Sequence, residues 1–484
     1  MRTLDNKKIL LVHPLGYEPS RASRDISRIT SIMPPLGLAG ISAYLGTHGV
    51  ESAIVDCYTR PGQSEGLIRE YLLTERPAFI GLSTVTSNFL DGVRLARMAK
   101  SVLPGVKTVF GGAHASALKE RVLEDFPEVD FAVVGEGERV MLELSEGGGE
   151  NAGEIKGLVW RDGDGRGHFN GYRDDLLELD SLPYPAYEKL HGYPHVYKLP
   201  IFNYPKAPNA SMNSSRGCPY ACSYCDRSVF GRSFRFNSAA YMYEHMKHLR
   251  DRYRVKHINF YDDQFTFNKR RVNEFCDMMA GKPLGMTFNC AVRAEHVDEG
   301  LLRRMKAAGC WMVSLGIESG DEELLSGHRQ NVNLAMIEEK VNTMKAAGLR
   351  VKGLFMIGLP GETEQSIRKS MDYIARLPLD IFNLAKFTPF PGSPVYEGIR
   401  EHGSFDEDWP RMDCMNFLFI PRGLTEERLE GLFREFYKSY FRRPRVLMDF
   451  VTMAWRSPDS YRRFFLNIGD FLRFAVSNRR MKGQ

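Results

Sequence analysis

Three of the eight cysteines in this 484-residue chain fall within one short stretch, SSRGCPYACSYCDRSVFG. They are Cys218, Cys222 and Cys225, spaced C-x3-C-x2-C. Soft thiolates select zinc or iron–sulfur clusters. A structural zinc takes four closed tetrahedral ligands, and the loop offers three, with neither His nor Cys following at a finger-like spacing. Three thiolates on a cubane [4Fe–4S] cluster leave one iron open, a place to bind and activate a ligand. A zinc knob or a set of buried free thiols is the plainer alternative. The cysteines are too sparse for a disulfide scaffold, and clustering of this kind in a reducing compartment indicates metal.

Further along, several predicted strands end in polar or bending residues. HINFYDDQFTF ends in Asp262 and Asp263, and NCAVRAE places Arg293 just past a strand, suited to a carboxylate by charge and fork geometry. SLGIESG offers Glu318 and Ser319, and FMIGLPGE offers Gly358, Leu359 and Pro360, a bend whose bare backbone can approach a ligand. Each has a local alternative. The Asp pair can cap the next helix, Arg293 can form a surface ion pair, and the GLPGE turn can be only a turn.

C-x3-C-x2-C with an aromatic residue, Tyr224, before the last cysteine resembles the radical S-adenosylmethionine (SAM) superfamily. The resemblance implies a [4Fe–4S] cluster on Cys218, Cys222 and Cys225, with the open iron chelated by the amino and carboxylate groups of SAM. It implies that Tyr224 and the bend at Gly358, Leu359 and Pro360 meet the adenine. It sets Arg293 toward a carboxylate and Glu318 and Ser319 near the ribose. Asp262 and Asp263 stand where the family often has Gly-Gly-Glu facing the SAM amino group.

The elements that must carry these residues are legible as rhythm. Residues 1–145 alternate apolar runs (KKILLVHP, ESAIVDCY, PAFIGLSTV, VKTVFGG, VDFAVVGEGE) with helical patterns, which predicts βαβ units and an open Rossmann-like parallel sheet. Ligands of such sheets sit at the carboxyl ends of the strands. There is no G-x-G-x-x-G after the first strand, which argues against a dinucleotide. Glycines come later, at Gly111 and Gly112 and around Glu136 at Gly135 and Gly137.

Over most of residues 8–143 this pattern resembles the cobalamin-binding domain that precedes many radical SAM domains. The resemblance implies that Ser83, Thr84 and Thr86 hydrogen-bond the cobalamin tail, and that Gly111, Gly112, Gly135, Glu136 and Gly137 line the site. The hydroxyl residues can equally cap the following helix. D-x-H-x-x-G, the motif whose His ligates cobalt, is absent; neither His13 nor His114 has an Asp two positions earlier. Cobalt is therefore expected without a protein His below it. A vestigial, cofactor-free domain is the plainer alternative.

Residues 146–205 read as a hairpin, GLVWRDGDGRGHFNG, and a Pro- and Tyr-rich linker. From 206 to 420 the βα rhythm returns through KHINFYDD, MTFNCAVR, WMVSLGIE, VKGLFMIGLP and IFNLAKFTPF, which suggests a partial barrel with chemistry at its carboxyl-end face. Residues 421–484 read as helical. The expected fold is α/β: an N-terminal Rossmann-like cobalamin-binding domain, a radical SAM partial (β/α)6 barrel and a helical C-terminal region. Tyr17, Phe387 and Phe390 are candidate pocket aromatics, with core packing as the alternative. The other cysteines, Cys57, Cys276, Cys290, Cys310 and Cys414, read as small buried hydrophobes.

Net charge is +5, and the stretch from Phe441 onward carries nine Arg and one Lys against three Asp. No signal peptide or membrane-spanning run is expected, nor any nucleic-acid module. A cytoplasmic protein is expected, whose basic, aromatic tail either packs on the barrel or lies peripherally on the inner membrane surface. The expected partners are a small-molecule substrate and a one-electron donor such as flavodoxin or ferredoxin. The resemblance implies an enzyme that cleaves SAM to a 5′-deoxyadenosyl radical and, with cobalamin as methyl carrier, methylates an unactivated carbon of a small-molecule or lipid/tetrapyrrole-like substrate. Radical cyclisation or rearrangement, as in anaerobic magnesium-protoporphyrin ester cyclase, is the alternative. A cobalamin or redox sensor is the non-enzyme reading.

Overall fold

The computed structural model describes residues 8–16, 31–331 and 333–469. Tyr17 and the tail beyond residue 469 lie outside the described residues.

Five parallel strands open the chain: β1 (Ile9–His13), β2 (Ser52–Asp56), β3 (Phe79–Ser83), β4 (Lys107–Gly111) and β5 (Phe131–Val133). Each follows one of the expected apolar runs. Their spatial order is β2-β1-β3-β4-β5, so the winding reverses between β1 and β3. Both faces are covered, which is why β1 reads ILLVH without alternation.

The hairpin β6 (Leu158–Arg161) and β7 (Gly167–Phe169) forms as expected, but it is not a separate connector. It adds two antiparallel strands to the edge of the first sheet, because β6 pairs with β5. The linker after it wedges between the two sheets. Ala186 N donates to Ala39 O of the helix Leu36–Thr47 at 2.9 Å, and Tyr184 stacks on His245 of the helix Ala239–Tyr253 at 4.3 Å.

The second sheet is all parallel and curls into a half barrel. It contains β8 (Asn209–Met212), β11 (His257–Phe260), β12 (Thr287–Val292), β13 (Cys310–Glu318), β14 (Arg350–Ile357) and β15 (Ile381–Lys386), in the order β15-β14-β13-β12-β11-β8. Between β8 and β11 a two-residue ladder of β9 (Ser215–Arg216) and β10 (Arg235–Phe236) closes the base of a loop. Sequence reading missed β8, whose NASM lacks the β-branched run of the others. Barrel helices start on side-chain caps: Ser238, Asn268, Asp298 and Thr363 each accept from a backbone N–H of the first turn. Alternate strand residues such as Val351, Phe355 and Ile357 pack under these helices in the largest core. Phe387 is buried in a smaller core with Leu359 and Phe419, and Phe390 packs at its edge. Cys57, Cys276, Cys290 and Cys310 are buried, and Cys414 is half-buried.

Candidate active site between two strand edges

The cysteine loop is the segment pinched off by β9 and β10. Gly217 starts it at φ +86°, and a Cβ there would sit 2.2 Å from Ser233 O, so the turn requires glycine. Cys222 is buried, Cys218 half-buried and Cys225 exposed. Cys225 N donates to Cys222 O at 3.3 Å. The Cys222 thiol is held below its ordinary pKa by a hydrogen bond from Cys225, with further help from Tyr224, Arg293 and Arg329. Burial pushes Cys218 up. Cys225 is pushed well up by its hydrogen bond to Cys222 and by burial; the deprotonated form is the metal ligand, and Arg293 and Arg329 favour it at Cys222. Among the described residues no three His, Cys, Asp or Glu converge on a single ion. A cubane does not need such convergence, because it spreads its thiolates over different irons.

His328 fastens this loop to the barrel mouth, and no motif announced it. Its Nε2 donates to Pro360 O at 2.8 Å, which leaves Nδ1 to accept from Ser223 Oγ at 2.8 Å in the neutral ring. Ser223 N also donates to His328 O at 2.9 Å. One side chain thus ties the loop to the Gly358–Leu359–Pro360 bend. A second unannounced residue, Glu362, lies beneath that bend. It is buried, accepts from the N–H groups of Gly358 and Leu359, and is pushed up to about 8 by burial. It stands inside the quoted GLPGE, where a carboxyl four residues after the φ +94° glycine was the available signal.

The strand-end residues divide into two groups. Arg293, Glu318 and Tyr224 gather around the cysteines. The Arg293 guanidinium lies over the Tyr220 ring at 3.8 Å and pairs with Glu295 at 2.6 Å. Glu318 holds φ +69° and is pushed up to about 7 by burial, against the pull of Arg329. Burial and the Glu318 charge push Tyr224 well up, and its ring packs against the small core that contains Leu359. Asp262 and Ser319 turn away into the protein. Asp262 accepts from Ser214 N at 2.5 Å, from Ser215 N at 3.0 Å and from Ser214 Oγ, and Arg271 Nη1 braces Ser214 O at 2.8 Å. Ser319 Oγ bonds Ser370 Oγ at 3.0 Å and accepts from Asp321 N at 3.1 Å. Asp263 differs from its neighbour: it lines the cavity described next and has no hydrogen-bond partner among the described residues.

A cavity of about 300 Å³ joins the carboxyl edges of both sheets. Ser83, Gly111, Gly112, Gly135, Glu136 and Gly137 line it from the first sheet; Asn213, Tyr261 and Asp263 line it from the barrel. A deep arm runs past Leu11, Gly40, Gly81 and Val109. A Cβ on Gly81 would come 2.9 Å from Leu11 Cδ2, and one on Gly137 would come 2.8 Å from Ile41 Cδ1. The arm is a narrow apolar slot kept open by missing side chains, which fits the flat rings of a cobalamin tail. Thr84 and Thr86 do not line it: Thr84 bonds Gly111 O, and Thr86 bonds His114. The Gly112 approach explains Thr84, since a Cβ at Gly112 would meet Thr84 O at 2.4 Å.

Neither early histidine lines the cavity. His13 bonds Asp56 at 3.1 Å, and His114 is sandwiched between Phe89 at 4.4 Å and Trp409 at 4.5 Å, pushed down to about 3 by burial. His245, which sequence reading passed over, does line it; its Nε2 meets Tyr187 Oη at 3.1 Å.

Charge crosses between the domains at the cavity wall. Arg216, two residues before Cys218, pairs through Nη1 with Glu136 and through Nη2 with Glu138 at 2.6 Å. Ser228 Oγ, beyond the third cysteine, donates to Ala113 O at 3.0 Å. The cluster loop is thereby held against the first-sheet edge from both of its ends.

Two family models match the chain: the Radical SAM superfamily over residues 212–374 and the B12 binding domain over residues 25–145. The chain is 28% identical over 453 residues to an uncharacterized methyltransferase of Pyrococcus horikoshii, covering 91% of this chain and 94% of the relative. It is 26% identical over 402 residues to the anaerobic magnesium-protoporphyrin IX monomethyl ester cyclase of Rubrivivax gelatinosus, covering 81% and 70%. Its fold matches that of OxsB, a cobalamin-dependent S-adenosylmethionine radical enzyme solved with aqua-cobalamin and S-adenosylmethionine bound. The TM-score is 0.74 at 17% identity, covering 98% of this chain and 76% of that one. The chain thus carries a B12-binding domain followed by a Radical SAM domain, a pairing that implies cobalamin from the first and a [4Fe–4S] cluster and SAM from the second.

Proposed function

We propose that the chain is a cobalamin-dependent radical SAM methyltransferase acting on a carbon centre. The observation that carries this reading is the single cavity that touches both strand edges. When bound, the cluster and SAM supply a 5′-deoxyadenosyl radical for hydrogen abstraction, and cobalamin supplies the methyl group.

The chain's own residues hold and shield. Cys218, Cys222 and Cys225 would bind the cluster and leave one iron for SAM. Arg293 would meet the SAM carboxylate by charge, and Asp263 would meet its amino group, since Asp262 is engaged by Ser214 and Ser215. Tyr224, Leu359 and the bare backbone at Gly358 would border the adenine, with Glu318 toward the ribose and Pro360 fixed by His328. Ser83 and the glycines at 111, 112, 135 and 137 would receive cobalamin, with Glu136 held by Arg216 at the rim. Leu179, Leu182 and Pro183 line the cavity with apolar wall and would help exclude water from it. A one-electron donor of flavodoxin or ferredoxin type would reduce the cluster.

The test is anaerobic turnover of reconstituted protein with cobalamin, SAM and a strong reductant, read by mass spectrometry. Formation of both 5′-deoxyadenosine and S-adenosylhomocysteine supports methyl transfer. The cyclase relative keeps a second reading in view, and deoxyadenosine alone, with candidate substrates present, would favour it.

The finer question of location turns on the C-terminal helices Pro444–Arg456 and Pro458–Leu466. Among the described residues no helix is long and apolar enough to cross a membrane. Leu447, Met448, Val451, Trp455, Phe465 and Leu466 are exposed, Trp455 to 76%. Arg442, Arg445 and Arg462 are exposed beside them, with no ion pair among the described residues. The two acids of this stretch face inward, Asp449 to Arg350 and Asp459 to Tyr204. An apolar stripe rimmed by free arginines suits an anionic lipid surface. Arg350 begins β14, so the stripe sits at the amino end of the barrel, opposite the cysteines. We therefore read it as an anchor that turns the active face away from the bilayer, not as an entry for lipid. Co-sedimentation with phosphatidylglycerol vesicles, lost in Trp455→Ser/Leu466→Ser, tests it; equal sedimentation of wild type and variant would refute it.

A further inference from the structure

The concave face of the half barrel carries a cation that the machinery above does not use. Along β14, Val351, Phe355 and Ile357 pack outward under the helices. Alternation therefore turns Lys352 and Leu354 into the lumen. In register, Lys352 stands between Ser314 of β13 and Ile381 of β15, with Ala291 of β12 next in the row. The row toward the amino end holds Met312 and Arg350, and the row toward the mouth holds Gly316, Leu354 and Asn383. None of these neighbours is a carboxylate. Arg350 brings no spare acid, since both of its Nη atoms engage Asp449 at 2.9 and 2.8 Å.

Lys352 is 9% exposed and has no hydrogen-bond or ion-pair partner among the described residues. A buried ammonium without a partner is costly, and burial alone lowers this one to about 8. Ser314 and Asn383 likewise show no side-chain hydrogen bond, and Asn383 is exposed, so the lumen reaches solvent. Its amino end is closed, where Asn289 Nδ2 donates to Asn203 O at 2.5 Å. The lumen is thus a cup whose wall carries an unneutralised cation, with Ser314 and Asn383 as hydrogen-bonding neighbours among apolar ones.

We propose that this cup seats the substrate and that Lys352 binds an anionic group on it, a carboxylate or a phosphoryl group, with Ser314 and Asn383 as neutral hydrogen-bond partners. The substrate's anion rests deep in the barrel and its reacting carbon lies above, toward the cluster and the cavity shared with the first sheet. This rests on the radical SAM reading for the position of the reacting carbon. The anion site itself does not depend on which radical outcome follows.

The experiment is isothermal titration calorimetry of anaerobically reconstituted holoprotein with methylphosphonate and, separately, with acetate. Wild type is expected to bind at least one probe saturably, and the stronger probe distinguishes phosphoryl from carboxylate. Lys352→Met should weaken that binding about ten- to a hundred-fold, the range of a charge-assisted hydrogen bond, while Lys352→Arg retains part of it. Iron content and thermal melting of the variants establish that they fold. No saturable binding of either probe by wild type, or equal binding by Lys352→Met, would overturn the proposal. The radical SAM reading fails separately, if wild-type protein with an intact cluster yields no deoxyadenosine from SAM.

Discussion

The two strand edges that meet at the cavity recognise by opposite means. The first-sheet edge works by omission: Gly81, Gly111 and Gly137 leave its wall bare, its histidines are engaged elsewhere, and its charged rim residues, Glu136 and Glu138, are both paired with Arg216. The barrel edge works by charge and chemistry: three thiols, Arg293, Arg329 and Glu318 act on one another through close electrostatics. On the proposed reading, a large ring system would be bound by shape at the first edge and a small zwitterion on an iron site by charge at the second. Perturbing one edge should leave the other's ligand in place, and the predictions below try to break that independence.

The largest effect is expected on the charged side. Cys222→Ala should abolish cluster iron and deoxyadenosine formation while cobalamin, read by its visible absorbance, is retained. Loss of both cofactors would mean that the edges do not act separately. On the other side, Gly40→Leu adds a side chain to the slot with no backbone clash at its Cβ, where the nearest atom is Glu138 Oε1 at 3.7 Å. It also improves helix propensity. Cobalamin retention should fall by at least about tenfold, with cluster iron unchanged.

A smaller effect sharpens the charge side. Burial pushes the Glu362 carboxyl up to about 8 from its ordinary 4.5, so between these values the folded state binds more protons than the unfolded one. Stability contributed by this carboxyl is full below about pH 4.5 and is lost as pH rises toward 8. Glu362→Gln keeps an acceptor for the Gly358 and Leu359 N–H groups but does not ionise. Its stability relative to wild type should rise across this window, by on the order of 5 kcal/mol, followed through the melting temperature. A pH-independent difference would contradict the assignment. The smallest effect is on the link between the edges: Arg216→Met should cost about 2 kcal/mol, seen in chemical denaturation, with both cofactors still bound.

What could be read from the sequence follows the range of the interactions. The cysteine triad is legible because its spacing is local, and the strands because β-branched runs mark them. Lys352 was passed over, since a lysine in a strand looks ordinary until register turns it into the lumen. Asp262 and Asp263 look equivalent in sequence, yet the loop after β11 sends one into a buried bracket for Ser214 and the other to the cavity. Thr84 and Thr86 were expected at the cobalamin site for a related reason: their hydroxyl type was visible, their direction was not. His328 and Arg216 act through partners 105 and 80 positions away, beyond any local pattern. The hairpin was legible as β6 and β7, but its pairing with β5 is a tertiary choice.

The account's central claim is that both cofactors face one cavity. Electron paramagnetic resonance of anaerobically reduced protein loaded with cobalamin and cluster tests it most directly. The structure predicts that the cob(II)alamin signal is split or relaxed by the reduced cluster, and that Gly40→Leu removes the cobalamin signal while leaving the cluster signal. Two independent, unperturbed signals in the wild-type protein would contradict it.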